Sequence, residues 1–451
     1  MATLPLEELR ANASTVIDSV GAMDAYAHDH CLTADFGNPA VVVLARSADE
    51  VMATINFAAR HRVPVVTRGA GTGLAGGANA IEGCILLDLS RMNRILDIDP
   101  VARTASVEPG VINGDLDRAA RRHGLRYVPD PGSRAISSIG GNLATNAGGM
   151  CCAKYGVTGD HVMSVTAVTG GGESIRTGGT TRKNVVGLDL TRLLVGSEGT
   201  LAVFVEALVR LHPIPSTVAT LAANFADTRS AVDAVAAWTE VAIPAAVELM
   251  DSTTVRAVNQ MKRMQLDESA GAVVLAQFDD PDATRTAELC ESIAIEHGAE
   301  TYSTDDADDG EAMMAARRAA YPALEALGTT LLDDVTVATH RLPDLLEAIH
   351  EIASETATTI GTFGHLADGN LHPTIVYDPQ ATGAKESAIE AFHLILDAAL
   401  ALDGSISGEH GIGSLKTGLV ALQAGGVEVA IMHKIKQAFD PEGILNPGRA
   451  Y

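Results

Sequence analysis

The chain has 451 residues, of which 47% are hydrophobic and 20% charged, a composition that excludes disordered, collagen-like and disulfide-scaffold proteins. Its 57 acidic and 32 basic residues give a net charge of −25, which disfavours nucleic-acid binding and polybasic attachment to anionic membranes. The five cysteines include no Cys-x-x-Cys pair, and no apolar run approaches the roughly 20 residues that span a bilayer. We therefore expect a cytoplasmic protein without a signal peptide, and peripheral membrane association is left open.

Short strands, a few helices and glycine-rich connections make up the predicted first half. Apolar runs predict the strands, and apolar residues at helical spacing predict the helices. In chain order, the predictions are strands at 40–44, 63–67, 84–89, 104–107 and 162–168, and helices at 48–61 and 114–123. The segment LHPIPS at 211–216 carries two prolines and predicts the end of this first domain.

The second half predicts a domain of the α+β class. Its predicted elements are helices at 229–241, 282–297, 312–327 and 342–357, a strand at 272–278, and a solvated acidic loop at 305–311. We therefore divide the chain into an N-terminal helical segment at 1–35, a first domain at 36–215 and a second domain at 216–451.

The first glycine-rich segment, residues 68–77, reads RGAGTGLAGG and follows a strand-like run. Gly71, Gly73 and Gly76 match G-x-G-x-x-G, but the dinucleotide fingerprint needs a helix that opens at the last glycine. Here the chain continues through further glycines into another strand-like run. Consecutive glycines let backbone N–H groups converge on an anion, so we predict a phosphate-cradling loop between two strands. The alternative is a plain tight loop.

The second glycine-rich segment, residues 129–156, reads PDPGSRAISSIGGNLATNAGGMCCAKYG. No helix or strand period explains it. Small residues at this density suggest backbone packed against a flat ligand, while the alternative is a buried irregular loop whose backbone groups must all be satisfied. Residues 195–201, VGSEGTL, form another glycine turn beside a strand-like run.

Two histidines flank a predicted hairpin turn in GTFGHLADGNLHPTIV, residues 361–376. If the turn is centred on Asp368-Gly369, His365 lies opposite His372, and directly paired residues hold their Cβ atoms about 4.5–5.5 Å apart on one face. Glu409 and His410 lie between glycines in GSISGEHGIG, residues 404–413. Two histidines and a carboxylate suit a catalytic divalent metal with open positions, whereas single histidines are more often ordinary core or surface residues.

The glycine segments together resemble the FAD-binding domain of the vanillyl-alcohol-oxidase-type flavoproteins, in order and spacing, over about the first half. The resemblance implies an α+β fold: a two-subdomain FAD-binding domain followed by an α+β C-terminal domain. It also implies that FAD is bound without a covalent link, since no histidine lies in residues 62–122. The implied cofactor contacts are Arg68, Gly69, Ala70, Gly71, Thr72, Gly73, Gly76, Gly77, Pro131, Ser138, Gly140, Gly141, Asn142, Thr145, Asn146, Gly148, Gly149, Tyr155, Gly156, Glu198, Gly199 and Asn446.

The segments GHLADGNLH, SGEHGIG and FDPEGILNPGR resemble C-terminal motifs of the FAD-linked D-2-hydroxy-acid dehydrogenases. This group includes D-lactate dehydrogenases, the glycolate oxidase flavoprotein subunit and D-2-hydroxyglutarate dehydrogenases. The resemblance assigns His365, His372 and Glu409 to a divalent metal, zinc in many members, and His410 to proton abstraction. It places the substrate beside Arg317, Tyr321 and His365.

The expected reaction is oxidation of a small D-2-hydroxy acid, with D-lactate as the first choice, by hydride transfer to flavin N5. Hydroxyglutarate enzymes of the group have threonine, lysine and asparagine where this chain has Tyr321, Leu332 and Thr374, which favours a small monocarboxylate. D-2-Hydroxyglutarate and glycolate remain alternative substrates, and a flavin-free metal hydrolase and a non-catalytic subunit are remoter alternatives. The chain has no haem or cluster motif, so a quinone, an electron-transfer flavoprotein or an iron–sulfur subunit must accept the electrons; a homodimer is left open.

Overall fold

The computed structural model describes residues 4–31 and 33–451, which form two compact units. The first unit contains the described residues up to Gly148, then Gly156–Ile214 and Glu409–Tyr451. The second contains Gly149–Tyr155 and Pro215–Gly408. The observed division at 214/215 lies next to the predicted one, whereas the predicted range 216–451 is divided after Gly408.

A four-stranded sheet opens the first unit, in the order β1-β2-β4-β3. Its strands are β1 (Val16–Ile17), β2 (Val41–Leu44), β3 (Val65–Arg68) and β4 (Ile85–Asp88). The last three are parallel, and every residue of β2 and β4 is buried, which explains why both are apolar apart from Asp88 at the end of β4. The strand β1 adds an antiparallel edge within the range predicted as helical.

A second, antiparallel sheet of the first unit has the strand order β5-β6-β10-β8-β9, and a two-stranded ribbon joins β7 to β11. These strands are β5 (Ile95–Asp99), β6 (Thr104–Val107), β7 (Leu125–Arg126), β8 (Val162–Thr169), β9 (Ser174–Gly178), β10 (Ala202–Arg210) and β11 (His212–Pro213). The helices of this unit are Leu6–Asn12, Val20–Met23, Ala48–His61, Asn113–Arg121, Ile139–Thr145, Thr158–His161, Leu190–Leu194, Val420–Ala424 and Gly426–Phe439, with 3₁₀ turns at Asp24–Tyr26 and Thr417–Leu419.

The second unit is built on one antiparallel sheet, in the order β15-β12-β14-β13-β18-β19-β16, with β17 also paired to β19. Its strands are β12 (Ala219–Phe225), β13 (Ala246–Asp251), β14 (Ala272–Phe278), β15 (Glu300–Thr304), β16 (Thr329–Leu332), β17 (Val335–Thr336), β18 (Thr359–His365) and β19 (Asn370–Tyr377). The helices are Cys152–Tyr155, Thr228–Val241, Ser252–Lys262, Ala283–Glu296, Ala307–Arg318, Ala320–Glu325, Leu342–Glu355 and Ala384–Ala401, with a 3₁₀ turn at Thr339–Arg341. In the part of the chain that the structure describes, no helix is both long and apolar enough to cross a membrane.

Two predictions about local structure are wrong. The second glycine segment contains a helix, Ile139–Thr145, because Ser138 accepts the amide of Gly141 and caps the first turn. The acidic run at 305–311 is largely helical, because the Asp306 side chain accepts two amides of the first turn and the following carboxylates face the positive end of the helix. The helix predicted at 312–327 divides at Ala319, and Pro322 falls in the first turn of the new helix, where its missing N–H is tolerated.

Candidate active site

The histidine hairpin has a longer turn than predicted. β18 and β19 are joined by residues 366–369, and Gly369 takes a φ of +80° with its Cα against the backbone of Val337. His365 therefore pairs with Asn370, and His372 pairs with Phe363. The predicted direct pairing of the histidines is wrong, yet a shift of two residues keeps both side chains on one face of the sheet.

The two imidazole rings meet inside the second unit. Their Nε2 atoms are 3.3 Å apart, and each residue is 5% exposed or less. The Nδ1 atoms face carboxylates: His365 Nδ1 lies 2.7 Å from Glu248 Oε1, and His372 Nδ1 lies 3.8 Å from Asp334 Oδ1. The rings thus present one nitrogen to each other and the second nitrogen to a carboxylate.

Glu248 is a site residue that the sequence reasoning missed. It lies in β13 directly opposite His365, and its second oxygen, Oε2, is 2.7 Å from Arg317 Nε. Burial alone would raise the pKa of Glu248, but the charges of His365 and Arg317 outweigh it and hold the pKa below its usual value. A single carboxylate in the otherwise apolar run AAVELM was the available signal, since an acid is rarely buried unless it is paired.

Arg317 lies near the end of the helix Ala307–Arg318 and is buried. Its guanidinium stacks on Phe363, with its central carbon 4.6 Å from the ring centroid. Glu248 occupies the Nε side, and the terminal Nη groups make no hydrogen bond to any residue the structure describes. A guanidinium held in this way has its forked end available for a carboxylate.

The three positions that the sequence analysis selected as substrate-specific lie on β16, on β19 and on the helix Ala320–Glu325. Leu332 of β16 pairs directly with Thr374 of β19. Tyr321 places its hydroxyl 3.3 Å from the hydroxyl of Thr330, also on β16. The positions selected from the sequence as substrate-specific therefore share one strand pair and its neighbouring helix.

In the first unit, the first glycine loop connects β3 to β4, and no helix follows it, as predicted. Ser138 Oγ accepts the amides of Ala70 and Gly141, each at 3.3 Å, so this hydroxyl joins the two glycine segments. A Cβ atom at Gly69 would lie 2.3 Å from the same hydroxyl, which leaves no room for a side chain. The two segments are therefore in direct contact through Ser138.

A cavity of about 380 Å³ opens beside this junction. Both segments contribute to its wall, which also includes residues from the β4–β5 connection and the start of the helix Asn113–Arg121: Ala70, Ser90, Asn93, Ile95, Gly110, Val111, Ile112, Asp115 and Ser138. Nearby, the buried Asn142 Nδ2 and Ser137 Oγ have no hydrogen-bond partner among the described residues. Buried polar atoms normally have a hydrogen-bond partner, so these two atoms indicate a place where a polar ligand could bind.

The C-terminal segment braces the first glycine loop from behind. Arg449 donates to the carbonyls of Gly76 and Asn79, and Asn446 donates to the carbonyls of Gly77 and Glu198. These contacts occupy loop carbonyls and none of the loop amides. The motif FDPEGILNPGR, which the sequence could only match to the family, thus supports the loop.

Glu198 has a further role in the first unit. Its carboxylate accepts the amides of Ile412 and Gly413, at 2.8 and 2.7 Å, and its backbone takes a φ of +51°. Burial raises the pKa of Glu198, although these two amides and Arg449 oppose the shift. The carboxylate therefore fixes the segment that directly follows His410.

The remaining predicted residues are distributed over both units. Glu409 and His410 lie side by side in the first unit, with Glu409 Oε1 3.6 Å from His410 Nε2. Tyr155 lies in the second, where its hydroxyl and Lys154 both bind Asp279. The structure thus brings His365, His372 and Arg317 together, while a metal set that includes Glu409 and a base role for His410 stay predictions.

Comparison with known proteins identifies both halves of the chain. Residues 39–178 match the FAD binding domain, and residues 214–450 match the family described as FAD linked oxidases, C-terminal domain. The glycolate oxidase subunit GlcD of Bacillus subtilis is 41% identical over 92% of this chain and 89% of its own length. A D-lactate dehydrogenase of Anaerostipes hadrus is 33% identical over 94% of this chain and 92% of its own length.

Solved structures agree on the fold. p-Cresol methylhydroxylase with substrate bound superposes with a TM-score of 0.83 and 17% identity, over 99% of this chain and 96% of the other. Alkyldihydroxyacetonephosphate synthase superposes with a TM-score of 0.77 and 20% identity, over 98% of this chain and 85% of the other. The predicted fold of two FAD-binding subdomains followed by an α+β domain is thereby confirmed. The chain belongs to the FAD-linked oxidases, in the group of FAD-linked D-2-hydroxy-acid dehydrogenases, and is an oxidoreductase.

Proposed function

We propose that the protein oxidises a small D-2-hydroxy acid to the 2-keto acid and passes the electrons to an external acceptor. D-Lactate is the first candidate substrate. The observation that carries the proposal is the buried Arg317, whose unpaired guanidinium end lies in the same cluster as His365 and His372. One cation for a carboxylate beside two metal-ligating side chains is the arrangement that a 2-hydroxy acid requires.

The surroundings of Arg317 support a short substrate. A dicarboxylate would need a second cation, and the chain has Leu332 where hydroxyglutarate enzymes of the group have lysine. Leu332 faces Thr374 across the strand pair, and Tyr321 adds its ring on the neighbouring helix. A methyl group, as in lactate, or a hydrogen, as in glycolate, suits these apolar neighbours better than a charged side chain.

The two histidines fit a metal ion. Tetrahedral zinc binds each imidazole nitrogen at about 2.0–2.1 Å, which separates two nitrogen ligands by about 3.3 Å. The observed distance between the Nε2 atoms of His365 and His372 is 3.3 Å. The carboxylates beside both Nδ1 atoms are the partners that metal-bound histidines commonly have. We propose Glu409 as the third ligand.

The first unit fits FAD. The joined glycine segments offer backbone amides to a pyrophosphate, the adjacent cavity has room for part of the dinucleotide, and Asn142 offers an unsatisfied buried amide group. The contact residues predicted in these segments, between Arg68 and Gly77 and between Pro131 and Gly156, are proposed to line the cofactor together with Glu198, Gly199 and Asn446.

The protein's own groups would divide the work as follows. Arg317 pairs with the substrate carboxylate and fixes which face of C2 is presented. His410 takes the hydroxyl proton as general base, since an imidazole titrates near neutral pH. FAD held by the glycine segments would supply the hydride acceptor, and a metal held by His365, His372 and Glu409 would supply Lewis acidity toward the substrate hydroxyl. The lost proton and hydride leave a C2 carbonyl, so the reaction balances.

The electron acceptor is proposed to be a quinone, an electron-transfer flavoprotein or an iron–sulfur subunit. Two relatives are subunits of glycolate oxidase, which supports a protein partner. The same relatives favour glycolate as the second candidate substrate, since the GlcD subunit of Bacillus subtilis is 41% identical to this chain.

An anaerobic visible spectrum, recorded before and after addition of a hydroxy acid, tests the proposal. We expect oxidised flavin absorption that bleaches with D-lactate and persists with L-lactate. Bleaching with glycolate alone would replace D-lactate by the second candidate. Flavin that no D-2-hydroxy acid reduces, in protein loaded with zinc, would refute the proposed activity.

A further inference from the structure

We propose that Glu248 is a positioning residue that fixes the metal ligand His365 and the substrate-binding Arg317 at the same time. The inference rests on the proposed function, because it assigns those two residues their tasks. It concerns one carboxylate that belongs to neither the predicted metal set nor the predicted substrate contacts.

Each oxygen of Glu248 serves one partner. Oε1 is 2.7 Å from His365 Nδ1, and Oε2 is 2.7 Å from Arg317 Nε. The carboxylate is about 1% exposed, and Glu248 is paired with His365 in the register of β13 and β18, so the backbone sets its distance from the ring. A shorter or neutral side chain at this position cannot serve both partners equally.

The contact with His365 selects a tautomer. An ionised carboxylate can only accept a hydrogen bond, so His365 donates from Nδ1. In the neutral ring that a metal binds, the lone pair is then on Nε2, the atom that faces His372 at 3.3 Å. Glu248 therefore turns His365 into a ligand whose donor atom points to the shared site.

The contact with Arg317 holds its guanidinium in place. Oε2 and Nε form an ion pair at 2.7 Å without a hydrogen bond between them, and stacking on Phe363 fixes the plane of the guanidinium. Because Arg317 and His365 share one carboxylate, the substrate carboxylate site and the metal site are held at a set separation within the second unit. That separation is the one that a hydroxy acid must match.

A merely structural role is the competing explanation, since buried ion pairs can often be replaced without loss of stability. The two explanations differ in what Glu248→Gln changes. A glutamine has one acceptor oxygen and no charge, so even if it keeps the hydrogen bond to His365 it loses the ion pair with Arg317 and turns an NH₂ group toward the guanidinium. We expect weaker zinc binding by about 10–100-fold, the usual cost of losing such a partner, and a KM for D-lactate raised at least tenfold.

The test measures zinc affinity by competition with a chromophoric chelator, in addition to kcat and KM, on FAD-loaded protein. Saturating zinc should restore most of kcat in Glu248→Gln but leave KM high, because metal occupancy recovers while the guanidinium remains misaligned. Asp251→Asn is the matched control: Asp251 lies three residues along the same strand, is buried, and accepts the backbone amides of Thr254 and Thr362. We expect this variant to lose stability without a change in zinc affinity or KM.

If D-lactate bleaches the wild-type flavin but Glu248→Gln has unchanged zinc affinity and KM, the inference is overturned. If the wild type itself is not reduced by any hydroxy acid, the proposed function has failed instead. Should Glu248→Gln not fold, ¹⁵N-histidine spectra of the zinc-loaded wild type provide the second test. We expect the His365 ring, assigned with His365→Gln, to be protonated at Nδ1; protonation at Nε2 would refute the inference.

Discussion

Arg317→Lys tests how the substrate carboxylate is bound. A lysine keeps the positive charge but loses the fork, so its one ammonium group can serve Glu248 or the substrate, whereas Arg317 serves Glu248 with Nε and has two Nη groups left. A hydrogen bond to a charged group contributes about 1.5–3 kcal/mol, and about 1.4 kcal/mol is a factor of ten. Losing two such bonds to the substrate predicts a decrease of roughly 10²–10⁴-fold in kcat/KM.

The assay is steady-state reduction of an artificial dye by D-lactate in zinc-loaded protein, with flavin content measured in the same samples. Arg318→Lys is the matched control, because Arg318 is the next residue on the same helix and pairs with Glu311 at the surface. We expect it to change kcat/KM less than twofold. If Arg317→Lys keeps kcat/KM within threefold of the wild type, Arg317 does not bind the substrate carboxylate, and the reasoning fails.

The remaining predictions concern the metal, the FAD loop and the segment after His410. His372→Gln, or removal of metal by a strong chelator, should abolish bleaching by D-lactate while FAD stays bound. The control His393→Gln, at an exposed helix position, should leave bleaching unchanged. Full activity after verified metal loss would refute a role for the metal. Gly69→Val should yield protein with little flavin, because a Cβ atom there meets Ser138 Oγ at 2.3 Å, whereas Gly21→Ala, with open space around it, should bind FAD normally. Glu198→Gln should slow flavin reduction at least tenfold without loss of FAD, since its carboxylate accepts both the Ile412 and Gly413 amides; an unchanged rate would show that this segment does not depend on Glu198.

Elements with one strong local signal could be predicted from the sequence. The helix at 48–61 and the strands at 104–107 and 272–278 are observed with the predicted bounds. The helix combines a Ser47 cap with a regular apolar face, the strand at 272–278 is a largely apolar run, and the strand at 104–107 reads TASV, with two β-branched residues. In these segments the local preference and the tertiary environment agree.

Other errors came from giving composition more weight than capping. Glycines at 140 and 141 argued against a helix, but the cap from Ser138 and the close approach of Gly140 to Pro109 favour a short one. The acidic run at 305–311 looked solvated, and it is, yet Asp306 starts a helix there. The acidic composition of that run predicted its exposure correctly and its backbone conformation wrongly.

The return of the C-terminal segment to the first unit could not be predicted from local pattern. Residues 444–446 pair with Val65, whose amide donates to Ile444 and whose carbonyl accepts from Asn446. A pairing across nearly 380 positions leaves no periodic trace in either partner. The family motif at 439–449 was visible, whereas its task of bracing the glycine loop required the structure.

The histidine site shows why a chemical prediction can survive a structural error. The turn was assigned two residues instead of four, which moved His372 from His365 to Phe363 in the register. Strand side chains alternate with a period of two, so an even shift preserves the face, and the rings still meet at 3.3 Å. An odd shift would have placed one histidine on the opposite face and removed the site.

Glu248 is a site residue that could have been predicted from the sequence. The search for ligands followed histidines and glycine-flanked acids, which stand out in a motif, and passed over one acid inside an apolar strand. A buried carboxylate is costly unless its partners repay the lost hydration, so its position in AAVELM required that cationic or hydrogen-bond donors converge on it. Arg317 and His365, both singled out for other reasons, are those partners. A charge that the core tolerates at such cost is therefore a better pointer to a functional centre than the exposed charges that make up most of the net −25.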